Sequence, residues 1–385
     1  MVSQAIPLSL YVHIPWCVRK CPYCDFNSHP VEGGMNEAAY VDALLADLTY
    51  ETPLAQGRPL QSIFFGGGTP SLFAAPSIAR IIQAADQQLG LADRCEITLE
   101  ANPGTAEAER FKAYRAAGVN RLSIGVQSFD NAALKKLGRI HDAGEATAAA
   151  DMARAAGFDN FNIDLMFALP GQDLAAARAD LEQAIALEPS HISYYQLTLE
   201  PGTHFHRHPP KLPDHETAWA MQTQGEALLS QAGFEQYEVS AYARAGKTCR
   251  HNLNYWLFGD YIGIGAGAHG KLSSAKGIQR RARQRLPKHF LIQAGDDKVL
   301  AETQEVSGTD CVFEFLLNAL RLPSGFSVDD FSRHTGLSAT QLQNALEPLL
   351  QRQLIEMQAD RVRSTPMGWR HLDSLLTELL PGASA

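Results

Sequence analysis

The sequence predicts an α/β protein, made of an open, partial (β/α)6 barrel and a C-terminal, mostly helical domain of the winged-helix type. Three observations carry this prediction. Short β-rich runs alternate with Ala-rich helical stretches through the first two-thirds of the chain. Six consecutive strand–helix units can be recognised, fewer than the eight of a closed barrel. Residues 306–385 then contain helical patterns and a β-hairpin.

Each predicted strand is a short apolar run bounded by turn residues, and each predicted helix shows apolar residues at helical spacing. The predicted strands are 8–14, 63–65, 96–99, 121–125, 160–165 and 191–197. The main predicted helices between and after them are 36–48, 76–89, 106–117, 143–156 and 174–187. Gly118 and Gly157 follow two of these helices, at the position where glycine commonly ends a helix.

The alternation stops after about residue 235, which predicts a core barrel over 1–235, a connecting segment over 236–305 and a C-terminal domain over 306–385. In the connecting segment, the Gly-dense run 261–270 is unsuited to a regular helix and indicates either close packing against a cofactor or a tight turn. The elements predicted for the C-terminal domain are helices 311–320, 328–335, 338–350 and 366–380, with strands 354–358 and 361–364.

The amino-acid composition excludes some classes of function for this protein. The 385 residues include 33 Lys and Arg against 42 Asp and Glu, a formal net charge of −9. This balance argues against nucleic acid or an anionic membrane surface as the main partner. No apolar run is long enough to span a bilayer, and the first residues lack the pattern of a secretion signal. With six cysteines too sparse for a disulfide framework, we expect a cytoplasmic protein without membrane insertion.

The most specific motif is a Cys-x3-Cys-x2-Cys run formed by Cys17, Cys21 and Cys24. Three thiolates can hold three irons of a [4Fe–4S] cluster and leave the fourth iron open to an exogenous chelating ligand. The alternative is a zinc site completed by a distant His, although zinc usually draws thiolates from paired Cys-x2-Cys units and the chain has one such pair. The spacing favours the open cluster.

Polar residues follow several of the predicted strands, at the strand ends where parallel barrels carry their sites. Gly68 and Thr69 lie in a Gly-Gly-Gly-Thr-Pro run, where the backbone can approach a ligand closely or simply make a tight turn. Glu100 ends the third strand, so its carboxylate can accept hydrogen bonds from two ribose hydroxyls, or cap a helix. These residues predict a nucleotide-like ligand near the cysteines.

Three further polar residues extend the candidate site. Gln127 and Arg139 offer an amide and a fixed cation for a carboxylate ligand, although Arg139 by itself is also compatible with a solvated helix end. Asp164 stands inside an apolar strand, where burial of an acid is costly without a partner. Its position therefore indicates a polar pocket rather than a packed core.

A histidine in the connecting segment is the candidate haem ligand. His251 is followed by Tyr255 and Trp256, and an imidazole beside aromatic side chains can ligate haem iron or can be a hydrogen-bonded core residue. Cys249 is an alternative soft ligand. The His-rich run 204–208 can bind metal or form a solvated loop, and the prolines around it favour the loop.

Together these motifs resemble the radical S-adenosylmethionine (SAM) superfamily and, within it, the branch of the oxygen-independent coproporphyrinogen III oxidases. The resemblance covers essentially the whole chain. It implies a [4Fe–4S] cluster whose fourth iron is chelated by SAM. It further implies contacts to that SAM from Tyr11, Gly68 and Glu100, and contacts to a second SAM from Tyr23, Thr69, Gln127, Arg139, Asp164 and Thr198.

Two features separate the chain from the oxidases of this branch. The oxidases carry a further cysteine two positions after the third, where this chain has Phe26, and a longer extension before the position of Tyr11. Conversely, residues 251–256 match the His-Asn-x-x-Tyr-Trp signature of the HemW-type haem chaperones. The resemblance therefore implies a chaperone that binds haem and a SAM-ligated cluster and transfers haem to acceptor proteins.

The resemblance assigns no catalytic residue, and it leaves open whether SAM is cleaved and whether the chain forms a homodimer. The alternative function is that of an oxygen-independent coproporphyrinogen III dehydrogenase that uses a 5′-deoxyadenosyl radical.

Overall fold

The computed structural model describes residues 6–31, 34–105 and 108–380. Its first part alternates parallel strands with helices. The strands of this part are β1 (Leu8–Ile14), β2 (Trp16–Cys17), β3 (His29–Pro30), β4 (Leu60–Gly67), β5 (Leu91–Ala101), β6 (Arg121–Gln127), β7 (Phe161–Phe167) and β8 (His191–Gln196). The helices are α1 (Glu37–Glu51), α2 (Ala75–Leu89), α3 (Ala108–Ala116), α4 (Asn131–Lys136), α5 (Ala143–Ala155), α6 (Leu174–Ala186), α7 (His204–Arg207) and α8 (His215–Gln231).

The six predicted strands and the five predicted helices of the barrel are confirmed, with ends that differ by a few residues. The predicted start of the third helix, at 106–107, lies outside the described residues. Gly118 and Gly157 adopt positive φ angles of 106° and 84° where the chain leaves α3 and α5. In the part of the chain that the structure describes, no helix is long and apolar enough to cross a bilayer.

The region after residue 235 contributes further strands to the same sheet. Its elements are β9 (Glu235–Glu238), β10 (Ala241–Ala243), α9 (Arg250–Trp256), β11 (Asp260–Ile264), β12 (His269–Ser274), β13 (Gly277–Arg283), α10 (Pro287–Gln293) and β14 (Leu300–Val306). Among the described residues, twelve strands form one sheet in the order β14-β13-β12-β11-β1-β4-β5-β6-β7-β8-β10-β9. The strands from β11 to β8 in this order run parallel, and those outside them are antiparallel.

Because β14 and β9 at the two ends of the sheet are not paired with each other, the barrel is open, as predicted. The predicted connecting segment contains the strands that extend the sheet past β1. Its predicted start at residue 236 falls inside β9, and its predicted end at 305 falls one residue before the end of β14. The domain boundaries themselves stay a prediction.

Buried ion pairs attach these added strands to the barrel. Asp260 on β11 accepts hydrogen bonds from Arg58 (2.7 Å) and Lys271 (3.0 Å), and all three side chains are buried. On β13, two strands away in the sheet, Arg283 pairs with Asp47 (3.2 Å) of α1. Each buried carboxylate is balanced by at least one cation, so removing one partner would leave an uncompensated charge.

The C-terminal domain has its own core. Its elements are α11 (Gly308–Ala319), β15 (Phe326–Ser327), α12 (Val328–Thr335), α13 (Ala339–Gln351), β16 (Ile355–Gln358), β17 (Arg361–Ser364), α14 (Pro366–Arg370) and α15 (Leu372–Glu378). The predicted last helix is thus divided at His371. Helices packed beside the small sheet β15-β17-β16 confirm the winged-helix-like arrangement. Phe258 from the barrel side packs into this core, which fixes the domain to the barrel.

Candidate cluster and ligand site

The three motif cysteines lie on a loop whose base is closed by pairing of β2 with β3. Inside the loop, Lys20 Nζ donates hydrogen bonds to the carbonyl oxygens of Phe26 (2.9 Å) and Ser28 (3.3 Å). Asn27 Nδ2 donates to the carbonyl oxygens of Ala266 and Arg285, both at 2.9 Å. The loop is therefore shaped by backbone, lysine and amide contacts, and the thiols are not needed to hold it.

Cys17, Cys21 and Cys24 are free thiols, half-buried, and all three line one cavity of about 480 Å³. Arg139 Nη1 lies 3.7 Å from Cys21 Sγ, and Cys24 Sγ lies 3.8 Å from Ser28 Oγ. Burial raises the pKa of the Cys17 and Cys24 thiols, so metal binding there releases protons. Among the described residues, no group of three or more His, Cys, Asp or Glu side chains is arranged to hold a single metal ion.

These residues fit a [4Fe–4S] cluster. A cluster needs three thiolates that face the same space and are not in disulfides, and the three thiols on the loop meet that requirement. Arg139 adds a charged donor beside one sulfur, and donors to the sulfur atoms are one of the protein's means of tuning such a cluster.

The glycine run after β4 packs against the base of the cysteine loop. Gly68 N donates to the Ile14 carbonyl oxygen (2.8 Å), and Thr69 N donates to that of Trp16 (2.7 Å). A Cβ atom on Gly68 would lie 2.5 Å from the Trp16 carbonyl oxygen, closer than real Cβ contacts. Glycine is therefore required for this close packing, whatever contact its backbone makes with a ligand.

Glu100 lies at the end of β5, where its side chain faces the site. Its Oε2 accepts a hydrogen bond from Gly67 N (3.2 Å). Burial and the nearby carboxylate of Asp164 raise the pKa of Glu100 to about 8. A carboxyl group held in this way, with acceptor capacity left over, can receive hydroxyl donors from a ligand.

Gln127 and Arg139 line the larger cavity, and each has a buried polar atom without a hydrogen-bond partner among the described residues. Arg139 Nη2 donates to the Gly125 carbonyl oxygen (2.7 Å), whereas its Nε is buried and has no hydrogen-bond partner among the described residues. The same is true of Gln127 Oε1. Gln127 also has a left-handed backbone, with φ of 66°. Unpaired buried polar atoms are costly, so these groups indicate a polar ligand in the cavity.

Asp164 lines the same cavity and is anchored by its neighbours. Its carboxylate accepts hydrogen bonds from Ser123 Oγ (3.1 Å) and Asn162 Nδ2 (2.7 Å), and burial raises its pKa. Tyr23 and Thr198 also line this cavity. The residues whose family counterparts contact a second SAM thus lie together, and their contacts to any ligand stay a prediction.

A second cavity of about 410 Å³ adjoins the first and shares Asp25, Phe26, Gly67 and Glu100 with it. Tyr11 lies here, and its hydroxyl forms a hydrogen bond with His13 Nδ1 (3.0 Å). The structure therefore separates the predicted site residues. Tyr11 lies at the smaller cavity and Glu100 at both, while the cysteines, Tyr23, Gly68, Thr69, Gln127, Arg139, Asp164 and Thr198 line the larger one.

His251 lies at neither cavity. It is 2% exposed, its Nδ1 lies 2.9 Å from Ser62 Oγ, and its Nε2 lies 3.0 Å from Tyr255 Oη. Burial lowers its pKa to about 3. Both ring nitrogens are hydrogen-bonded, as expected for a core residue, and ligation of haem iron by His251 stays a prediction. Cys249 is also buried, with its thiol against Glu96 Oε1 at 3.4 Å.

Several lining residues were not predicted as site residues. His269 and Arg285 line the smaller cavity, and Arg321 of the C-terminal domain lines the larger one. The Gly-dense run 261–270 was a signal for His269, because it forms a turn that packs against the cysteine loop. A Cβ atom on Gly267 would lie 2.3 Å from Asn27 Nδ2. No sequence pattern identified Arg321 as a lining residue, because it reaches the cavity from the C-terminal domain.

Comparison with known proteins agrees with this geometry. Residues 11–184 match the model of the Radical SAM superfamily, and residues 306–371 match the HemN C-terminal domain. The structure superimposes on that of Escherichia coli coproporphyrinogen III oxidase (HemN), a radical SAM enzyme, with a TM-score of 0.82 and 23% sequence identity, covering 98% of this chain and 91% of that chain. At this identity the likeness shows the shared fold alone.

Curated relatives give the family. The heme chaperone HemW of Haemophilus influenzae is 49% identical over 375 residues, which is 96% of this chain and 97% of the relative. The heme chaperone HemW of Escherichia coli K12 is 48% identical over 371 residues, with the same coverage. The predicted family is confirmed: the chain belongs to the HemW family of the radical SAM superfamily.

Proposed function

We propose that this protein is a haem chaperone, which binds haem together with a SAM-ligated [4Fe–4S] cluster and transfers the haem to acceptor proteins. The observation that carries the proposal is identity of 48–49%, over nearly the full length, to relatives named heme chaperone HemW. The three free thiols beside two adjoining cavities support it, because they provide a cluster site next to space for ligands.

Cys17, Cys21 and Cys24 would hold the cluster, which when bound offers one iron to the amino and carboxylate groups of SAM. Arg139, whose Nη1 lies 3.7 Å from Cys21 Sγ, would place a positive charge beside the cluster. Gly68 and Thr69 fix the strand end against the cysteine loop through their backbone hydrogen bonds. Each of these residues binds or orients a group, and none is assigned a proton transfer.

Tyr11 and Glu100 support binding of the SAM nucleoside in the smaller cavity. Glu100 can accept a ribose hydroxyl, since its Oε2 has one backbone donor, at 3.2 Å. Burial raises the pKa of Glu100 to about 8, and the protonated carboxyl group that this favours near neutral pH still has acceptor capacity. The aromatic ring of Tyr11 forms part of the wall around this space.

The chemistry of the site also bears on location and partners. Half-buried cluster thiols require a reducing compartment, which supports the cytoplasm. The acceptor proteins are defined only by their need for haem. A homodimer stays a prediction that sedimentation of the cluster-loaded protein tests.

The proposed function is tested by anaerobic reconstitution of the cluster, followed by haem titration and by an assay for conversion of coproporphyrinogen III in the presence of SAM and a reductant. We expect haem binding near one equivalent per chain and no conversion of coproporphyrinogen III. Sustained SAM-dependent conversion without haem binding would instead assign the alternative dehydrogenase function, and would mean that Phe26 at the position of the oxidases' extra cysteine is compatible with that reaction.

A further inference from the structure

We infer that helix α9 presents one aromatic side chain to each of the two adjoining cavities, and that His251 is a positioning residue rather than a haem ligand. His251 holds Tyr255 at the wall of the smaller cavity, which takes the SAM nucleoside. The next residue, Trp256, faces the larger cavity, which takes haem as a planar aromatic ligand with carboxylates. The identities of the two ligands rest on the proposed function, whereas the arrangement of the helix does not.

The helix is fixed at both ends. At its start, the carboxylate of Glu96 accepts hydrogen bonds from Cys249 Sγ (3.4 Å), Arg250 N (3.1 Å) and His251 N (3.2 Å). Near its end, Asn254 Nδ2 donates to the Asp260 carbonyl oxygen (2.8 Å). A carboxylate at the first turn satisfies backbone donors that the helix leaves unpaired. The position of the aromatic pair at residues 255 and 256 is therefore determined by the fold.

A chain of hydrogen bonds behind the helix fixes the orientation of Tyr255. Ser62 Oγ donates to Ser9 Oγ (2.8 Å), so Ser62 accepts from His251 Nδ1–H at 2.9 Å. Nε2 of this neutral tautomer then accepts from the Tyr255 hydroxyl at 3.0 Å. Phe64 stacks on the imidazole with ring centroids 4.9 Å apart, which leaves the ring one orientation.

Tyr255 lines the smaller cavity together with Tyr11, His269 and Arg285. Its ring packs edge-on against Tyr261, with centroids 4.5 Å apart and an interplanar angle of 90°. The hydrogen bond between the Tyr255 hydroxyl and His251 therefore fixes the position of the Tyr255 ring at the cavity wall. Without that bond the side chain gains rotameric freedom at the wall where the nucleoside would lie.

Trp256 lines the larger cavity beneath the C-terminal domain. The Arg321 guanidinium lies 4.4 Å from the indole centroid, and Trp256 Nε1 and Arg321 Nε are buried without hydrogen-bond partners among the described residues. Glu238 is the nearby anion, but its Oε2 is 4.0 Å from Arg321 Nη2, and burial raises its pKa. An aromatic face beside a cation with an unused donor suits the ring and a carboxylate of haem.

The test compares Tyr255→Phe, His251→Ala and Trp256→Ala in the full-length, cluster-loaded protein. SAM affinity is read from the change in the electron paramagnetic resonance signal of the reduced cluster, and haem affinity from the Soret absorbance. We expect Tyr255→Phe and His251→Ala each to weaken SAM binding about fivefold to tenfold, with haem affinity within about twofold of wild type. Trp256→Ala should weaken haem binding about tenfold and leave the SAM response unchanged.

Tyr194→Phe is the matched control, because Tyr194 is buried, its hydroxyl bonds to a backbone carbonyl, and it lines neither cavity. Loss of haem binding in His251→Ala, with Tyr255→Phe unchanged for both ligands, would overturn the inference and make His251 the ligand. Unchanged haem affinity in Trp256→Ala would overturn the assignment of the larger cavity. If wild type binds no haem the proposed function fails, and the SAM response of Tyr255→Phe and His251→Ala still decides the role of His251.

Discussion

The cysteine loop and helix α9 both carry sequence motifs that suggest metal ligation, yet their side chains are in opposite states. The three thiols of the loop are half-buried, free and directed at a cavity. The imidazole of His251 on α9 is 2% exposed and has both nitrogens hydrogen-bonded. The difference teaches that a motif indicates a ligand only where its coordinating atoms reach a cavity, which the residue type alone does not reveal.

The largest effect is expected from the loop. Cys21→Ser removes one of three thiolates, so iron and acid-labile sulfide in the anaerobically reconstituted protein should fall to a small fraction of the wild-type content. Cys311→Ser, in the core of the C-terminal domain, should retain the cluster because its thiol is buried away from the cavities. Equal iron content in the two variants would show that the loop thiol of Cys21 and the buried thiol of Cys311 do not differ in their importance for the cluster.

Asp260, a buried carboxylate that pairs with two cations, should contribute to the free energy of unfolding and not to ligand binding. Asp260→Asn leaves Arg58 and Lys271 without their shared carboxylate, so the free energy of unfolding should fall by about 3–5 kcal/mol. Denaturant titration measures this loss, with the exposed pair partner Glu182→Gln as the control that costs less than about 1 kcal/mol. A comparable result for the two variants would show that the Asp260 cluster does not anchor the added strands.

Glu100 gives a smaller, pH-dependent effect. Its folded pKa of about 8 lies above the ordinary value of 4.5, so the folded state holds more protons between these values and stability falls as pH rises through this window. Glu100→Gln removes this term, so its Tm should decline less than that of wild type between pH 6 and pH 9. The exposed Glu216→Gln should follow wild type. Parallel curves for Glu100→Gln and wild type would mean that Glu100 is not held protonated by burial.

The smallest effect is expected from the His-rich run. His204 and His208 are exposed on and beside the short helix α7, and neither lines a cavity. His208→Ala should change the haem dissociation constant less than twofold in the Soret titration. A larger loss would show that exposed imidazoles outside the cavities contribute to haem binding.

Much of the fold could be predicted because it depends on local pattern. The limits of β1, α12 and β17 agree with the sequence prediction. An apolar run defines β1, the capping residue Ser327 begins α12, and alternation of exposed arginines with the buried Val362 marks β17. The strands β11 to β14 could not be predicted in this way. β14 is almost wholly exposed, and it is a strand because it pairs with β13.

The residues of the candidate site could likewise be predicted only where they depend on local sequence. The cysteines and the polar strand ends follow from motif and position, because the strand ends of a parallel sheet converge. The state of His251 depends on Ser62, which is 189 residues away in the chain, and the far wall of the larger cavity depends on Arg321 from the C-terminal domain. Such contacts exist only after tertiary packing, so no local pattern contains them.

The SAM nucleoside and haem are proposed to lie in separate, adjoining cavities, which are lined by Tyr255 and Trp256 of α9, respectively. The most direct measurement is an anaerobic haem titration of the cluster-loaded protein, followed by Soret absorbance, with and without saturating SAM. Separate cavities predict one haem per chain in both titrations, with dissociation constants that agree within about threefold. A haem affinity that falls in proportion to the SAM concentration would mean that the two ligands compete for one space, and would contradict the account.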